Sequence, residues 1–67
     1  MSEANNFGRN LKWHRLDMRM TQQRLADLVK TSRYSVCNYE RGVQSPSLDM
    51  AEKLARAVGV KLSEILT

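Results

Sequence analysis

Little in this chain can hold it together by covalent bonds or a bound ion. Its single cysteine, Cys37, excludes an internal disulfide, and its single histidine, His14, leaves no Cys/His cluster with zinc-ligand spacing. The four methionines suit gap filling better than metal binding. No apolar run approaches the roughly 20 residues of a membrane span. The N-terminus lacks the apolar stretch of a secretory signal, so the expected compartment is the cytoplasm. There is no glycine-rich phosphate loop, no paired acid and base, and no segment long enough to enclose an active site. These absences exclude an enzyme and leave no cofactor or small-molecule ligand to expect. Repeats, low-complexity runs and strand-like alternation are missing too.

What remains is a 67-residue chain with helical periodicity, one domain near the lower limit for a core without staples. Residues 1–5 are polar and have nothing to pack, which predicts a mobile arm ahead of a domain over 6–67. Asn6 can cap a helix from Phe7 to Met18, whose apolar face carries Phe7, Leu11 and Met18, with Leu16 beside them. Arg15 falls on that same face, so it either snorkels to the surface or pairs internally. Trp13 is expected to pack between the first and last helices. Thr21 can cap a second helix with a stripe of Leu25, Leu28 and Val29, and Ala26 is small enough to sit at a helix crossing.

After Lys30-Thr31, Ser32 can cap a third helix, whose inward residues are Val36 and Tyr39 and which ends at Gly42. Arg33, Tyr34, Cys37, Asn38 and Arg41 lie off its buried face. Pro46 stops helix propagation, and Ser47 caps a fourth helix, Leu48 to about Val58, with a core stripe of Leu48, Ala51, Leu54, Ala55 and Val58. Gly59 terminates it, and a last short helix covers Leu62 to Leu66. The fold class is therefore all-α, a compact bundle of five short helices.

Charge is distributed unevenly. Eleven Lys and Arg oppose seven Asp and Glu, a net charge of +4. Arg9, Lys12, Arg15, Arg19, Arg24, Lys30, Arg33 and Arg41 all precede residue 42, against Glu3, Asp17, Asp27 and Glu40, whereas the remainder balances. An excess of this sign on one half suits a polyanionic partner, although a solvated face can also carry it.

The stretch TQQRLADLVKTSRYSVCNYERG, residues 21–42, resembles the helix-turn-helix of the Cro and phage-repressor family, the XRE-type regulators. The likeness continues upstream through LKWHRLDMRM and downstream through PSLDMAEKLARAVGVKLSEIL, covering most of the chain in one register. It implies a lambda-repressor-like domain that binds a double-stranded DNA operator, with the third helix in the major groove. The function it implies is transcriptional regulation, most often repression, by a homodimer joined through its C-terminal region, Val58 to Thr67.

On that resemblance Arg33, Tyr34, Cys37 and Asn38 become candidate base contacts. The guanidinium of Arg33 can fork onto a guanine, the Asn38 amide can pair with an adenine, and Tyr34 can meet a thymine methyl or a phosphate. Thr21 and Gln22 occupy the family's phosphate-clamp positions, with Gln23, Arg41 and the backbone of Val43, Gln44 and Ser45 as further phosphate candidates. The family's pattern pairs Arg15 with Glu40. Lys30 and Arg19 stand where the family often has glycine, so the usual turns would force each to a positive φ. Lys61 stands at a cap position but has no side-chain oxygen. Two rival functions fit the same features: an antitoxin that binds DNA and a toxin, and a protein-interaction adaptor that does not bind DNA.

Overall fold

Each helix contributes one fully buried large aliphatic side chain to a shared core. These are Leu11, Leu25, Val36, Leu54 and Ile65, carried in order by α1 (Ala4–Asp17), α2 (Gln22–Val29), α3 (Arg33–Arg41), α4 (Leu48–Ala57) and α5 (Leu62–Leu66). The computed structural model describes residues 4–66, with side chains from residue 6 onward. Helices of 5 to 14 residues are marginal alone in water, so their stability comes from the face each buries. Burying one such side chain contributes roughly 1.5–3 kcal/mol. Ala26, Val29, Tyr39, Ala55 and Val58 complete the core. α1 packs on α3 and α5, α2 on α3 and α4, and α4 on α5.

The three serine and threonine caps act as their positions in the sequence predict. Thr21 Oγ1 accepts from Arg24 N at 3.0 Å, Ser32 Oγ from Ser35 N at 3.1 Å, and Ser47 Oγ from Met50 N at 3.1 Å. Each satisfies one of the amides that a helix start leaves without a partner. At the start of α5 the task passes to the side chain of Glu64, which accepts from the backbone amide of Lys61 at 2.7 Å.

The turns carry strain at two cationic residues. Lys30, which ends α2, lies at φ 60° and ψ 49°, and Arg19 lies at φ 55°. For a residue with a Cβ this left-handed conformation costs about 1–2 kcal/mol. It is retained because the Lys30 amide reaches the carbonyls of Ala26 and Asp27, which closes α2 and turns the chain into α3. Gly42, at φ 77°, performs the same service for α3 without that strain.

Several expectations are corrected. α1 begins at Ala4, upstream of Asn6. Asn6 is therefore not a cap; its Oδ1 accepts from Arg9 Nη2 at 3.0 Å, one turn along the helix. Of the expected arm, residues 1–3 lie outside the described residues. Trp13 is 67% exposed and does not pack against α5. Gly8 and Leu11 form the packed face of α1, and Trp13 projects from another side. Leu16, Met18, Leu28 and Leu48 are likewise exposed, so they leave the expected core stripes.

The approach of α1 to α3 depends on Gly8. A Cβ there would stand 2.3 Å from the carbonyl oxygen of Tyr39 and 2.7 Å from that of Glu40. Both are backbone atoms and cannot swing aside. Asn10 adds a polar tie, donating from Nδ2 to the carbonyl of Ile65 at 2.7 Å. Neither residue stands out in the sequence reading, although a lone glycine within a helical pattern is a signal of close approach.

Candidate nucleic-acid interface

One buried carboxylate fixes the relation between the start of α2 and the end of α3. Glu40 Oε2 accepts from Arg15 Nε at 2.6 Å, and Oε1 accepts from Arg15 Nη2 at 3.0 Å, a bidentate pair. Oε1 also accepts from Gln22 Nε2 at 3.0 Å. The remaining end of the Arg15 guanidinium donates from Nη1 to the carbonyl of Met20 at 2.7 Å. Both charged side chains are almost enclosed, at 7% and 3% exposure. Among the described residues no buried side-chain nitrogen or oxygen lacks a partner. The group spans α1, the turn before α2, the first residue of α2 and the last turn of α3.

That first residue of α2, Gln22, is one of the residues singled out as a phosphate clamp. It is half-buried, and its amide nitrogen is directed inward to Glu40. Thr21 is exposed, with its hydroxyl occupied as the cap. Gln23 donates to Asp27 Oδ1 at 2.9 Å along its own helix. The amides of Gln22 and Gln23 precede the first helical hydrogen bond, from Leu25 to Thr21. They form the positive end of the α2 dipole.

On α3, Arg33, Tyr34 and Arg41 are exposed and Cys37 is half-buried. Their spacing of i, i+1, i+4 and i+8 places them in one outward stripe. Tyr34 is the most open of them at 73%. This stripe lies across the helix from Val36 and Tyr39, which face the core.

Asn38 departs from the expected arrangement. It is only 7% exposed, so its amide is not presented outward for a base edge with Arg33 and Tyr34. The cause is the chain that follows: Gly42 reverses direction, and the amides of Val43 and Gln44 return to the carbonyl of Asn38 at 3.0 and 3.3 Å. The returning segment covers one flank of the last turn of α3. Val43, Gln44 and Ser45 themselves are exposed beside Arg41. The rim beyond the stripe is therefore backbone and loop, not the Asn38 amide.

Among the described residues no group of three or more His, Cys, Asp or Glu could hold a metal ion, and no helix is long and apolar enough to cross a membrane. The chemistry on offer is electrostatic and hydrogen-bonding: a cationic, aromatic-bearing helix surface flanked by a helix N-terminus and an exposed loop.

An α2–turn–α3 pair with this bracing and an outward polar stripe defines a helix-turn-helix domain. Residues 11–65 match the helix-turn-helix family model, and the chain belongs to that family, in its XRE-type branch with the phage repressors. An HTH-type transcriptional regulatory protein of Aeropyrum pernix is 44% identical over 54 residues, 81% of this chain and 16% of that protein. The cryptic phage CTXphi transcriptional repressor RstR of Vibrio cholerae is 30% identical over 61 residues, covering 91% of this chain and 55% of the repressor. The chain thus spans a minor part of the first relative and about half of the second. Among solved structures, the restriction-modification controller protein C.AhdI of Aeromonas hydrophila superposes with a TM-score of 0.90 at 31% identity. That match covers 97% of this chain and 98% of the controller. The named relatives are regulators, not enzymes.

Proposed function

We propose that this chain binds double-stranded DNA in a sequence-specific manner and regulates transcription, as a repressor that occludes a promoter. The observation that carries this reading is the stripe of Arg33, Tyr34, Cys37 and Arg41, held outward on a helix whose opposite side packs into the core through Val36 and Tyr39 and whose last turn is anchored by Glu40. Arg33, next to the N-terminus of α3, supplies a guanine-reading fork, and Tyr34 offers an aromatic edge for a thymine methyl or a hydroxyl for a phosphate. The amino end of α2 at Thr21, Gln22 and Gln23, with Arg41 and the backbone of Val43 to Ser45, grips phosphates on either side. Repression is supported by the similarity to RstR, itself a transcriptional repressor.

A single domain of this size makes few base contacts, so a second copy is needed for affinity and specificity. Leu48 and Leu66 are 70% and 57% exposed and border an apolar cleft of about 240 Å³ that also involves Phe7, Tyr39 and Leu62. A second copy seated against this side, which includes the C-terminal helix, covers that surface. Two domains with a longest extent of 29 Å in contact can present their recognition helices about 34 Å apart, one turn of duplex.

Selection of binding sites from random duplexes tests the reading directly. The expected product is an enriched sequence with two symmetric halves centred one turn apart, and an affinity that falls steeply as salt rises. Failure to enrich any sequence, with no retention on duplex DNA at moderate salt, would leave the adaptor role in possession of the fold. A stable complex with the product of an adjacent gene, formed in addition to DNA binding, would favour the antitoxin role.

A further inference from the structure

The outer face of α1 carries two large apolar side chains where a solvent-facing helix is ordinarily polar. Trp13 and Leu16 are 67% and 52% exposed. With Arg9 and Lys12 they line a shallow cleft of about 310 Å³ that belongs to this one helix. Neither residue has work to do inside the domain, because Gly8 and Leu11 already make the buried face of the helix and Arg15 holds the internal ion pair. Exposed tryptophan beside arginine is the composition of a protein-binding anchor, not of a solvated surface.

We propose that this face docks an acidic amphipathic helix of another protein. The partner's apolar side chains would lie along Trp13 and Leu16, and its carboxylates would meet Arg9 and Lys12. Charge selects the occupant. Among the described residues Lys12 has no salt-bridge partner and Arg9 makes one side-chain hydrogen bond, to Asn6, which leaves guanidinium donors unused there. Among the described residues of α1 the one acid is Asp17, at the edge of the strip one turn beyond Trp13. A second copy of this chain is a poor match: α1 to α4 each carry at least as many Lys and Arg as Asp and Glu, and α5, with Glu64, is a single short turn.

Position gives the docking its use. α1 packs against the inner side of α3 through Gly8, and none of Arg9, Lys12, Trp13 and Leu16 belongs to the stripe assigned to DNA. The partner and a duplex can then be held together, which is the arrangement a regulator needs to recruit or be inhibited by a second protein. This last step rests on the DNA-binding reading; the docking itself does not.

Trp13 is the only tryptophan and reports on its own face. The full chain is titrated with an aromatic-free peptide of leucine and glutamate, leucines at helical i, i+3, i+4 and i+7 spacing, and with its counterpart carrying lysine for glutamate. The glutamate peptide should shift Trp13 emission to the blue and saturate, and the lysine peptide should not. The double variant Arg9→Glu/Lys12→Glu, checked for unchanged helical circular dichroism, should bind the glutamate peptide about tenfold more weakly and gain affinity for the lysine peptide. Repeating the titration on the DNA-bound chain should give the same affinity. No saturable shift, or equal response to both peptides, overturns the proposal. So does a blue shift that grows with the chain's own concentration, which would assign the face to a second copy. A shift produced by duplex DNA and lost in the double variant would assign it to nucleic acid. If the chain binds no DNA at all, the peptide titrations still decide the docking.

Discussion

Glu40 and Arg41 are consecutive residues of α3 with opposite surroundings. The Glu40 carboxylate is enclosed, with three hydrogen bonds from Arg15 and Gln22, while Arg41 is exposed beside the loop that follows. The inner group is satisfied within the fold, so its removal is expected to be felt as stability. The outer stripe has few internal partners, so its removal is expected to be felt in binding. A helix of nine residues thus separates supporting side chains from the outward ones proposed to meet DNA by azimuth alone, and the two sets can be altered separately.

The largest break in that division should come from Glu40→Ala. It strands the Arg15 guanidinium in a nearly closed site, and leaving a buried charge without its partner costs about 3–5 kcal/mol. For a domain this small that is most of its stability, and thermal or urea denaturation should show it. An unchanged melting temperature would mean the pair is not structural. Gly8→Ala follows, at about 1–3 kcal/mol, because the added methyl meets backbone oxygens and outweighs the gain in helix propensity. If that variant is as stable as the parent, α1 and α3 are not held as closely as described.

Arg33→Ala tests the other side of the comparison. Its melting should be nearly unchanged, while preference at one position of the selected site should relax by about 1–3 kcal/mol with non-specific affinity largely kept. Competition binding with single-base site variants measures this, and an unaltered preference would remove Arg33 from base readout. Smallest is Lys30→Gly. Glycine adopts φ 60° without steric strain but loses more entropy on folding, so the net effect should be a stabilisation below about 1 kcal/mol. A destabilised variant would show that the lysine side chain itself supports the turn.

What was legible in the sequence was local. Thr21, Ser32 and Ser47 announce their helices because a cap needs only the residue and the amide three positions on. The positive φ at Lys30 and Arg19 follows once the turn's form is known. The outward placement of Arg33, Tyr34 and Arg41 follows from periodicity. Asn38 was not legible, because a loop returning from beyond Gly42, not the helix itself, covers it. Trp13 was legible but misassigned: two positions after Leu11 it lies about 200° around a helix of 3.6 residues per turn, away from the face that Leu11 and Arg15 turn inward. Asn6 reads as a cap, yet nothing in Ala4 and Asn5 forbids helix, and the first turn simply extends through them.

The Glu40 node has a mechanical consequence. Because one carboxylate holds Gln22 at the head of α2 and anchors the tail of α3, these two ends work like the jaws of a caliper set to a fixed opening. In the proposed complex with a duplex, any misfit between that opening and the width of the groove would fall to the nucleic acid to absorb. Sequences that flex cheaply to the required width would then be favoured even at base pairs no side chain touches.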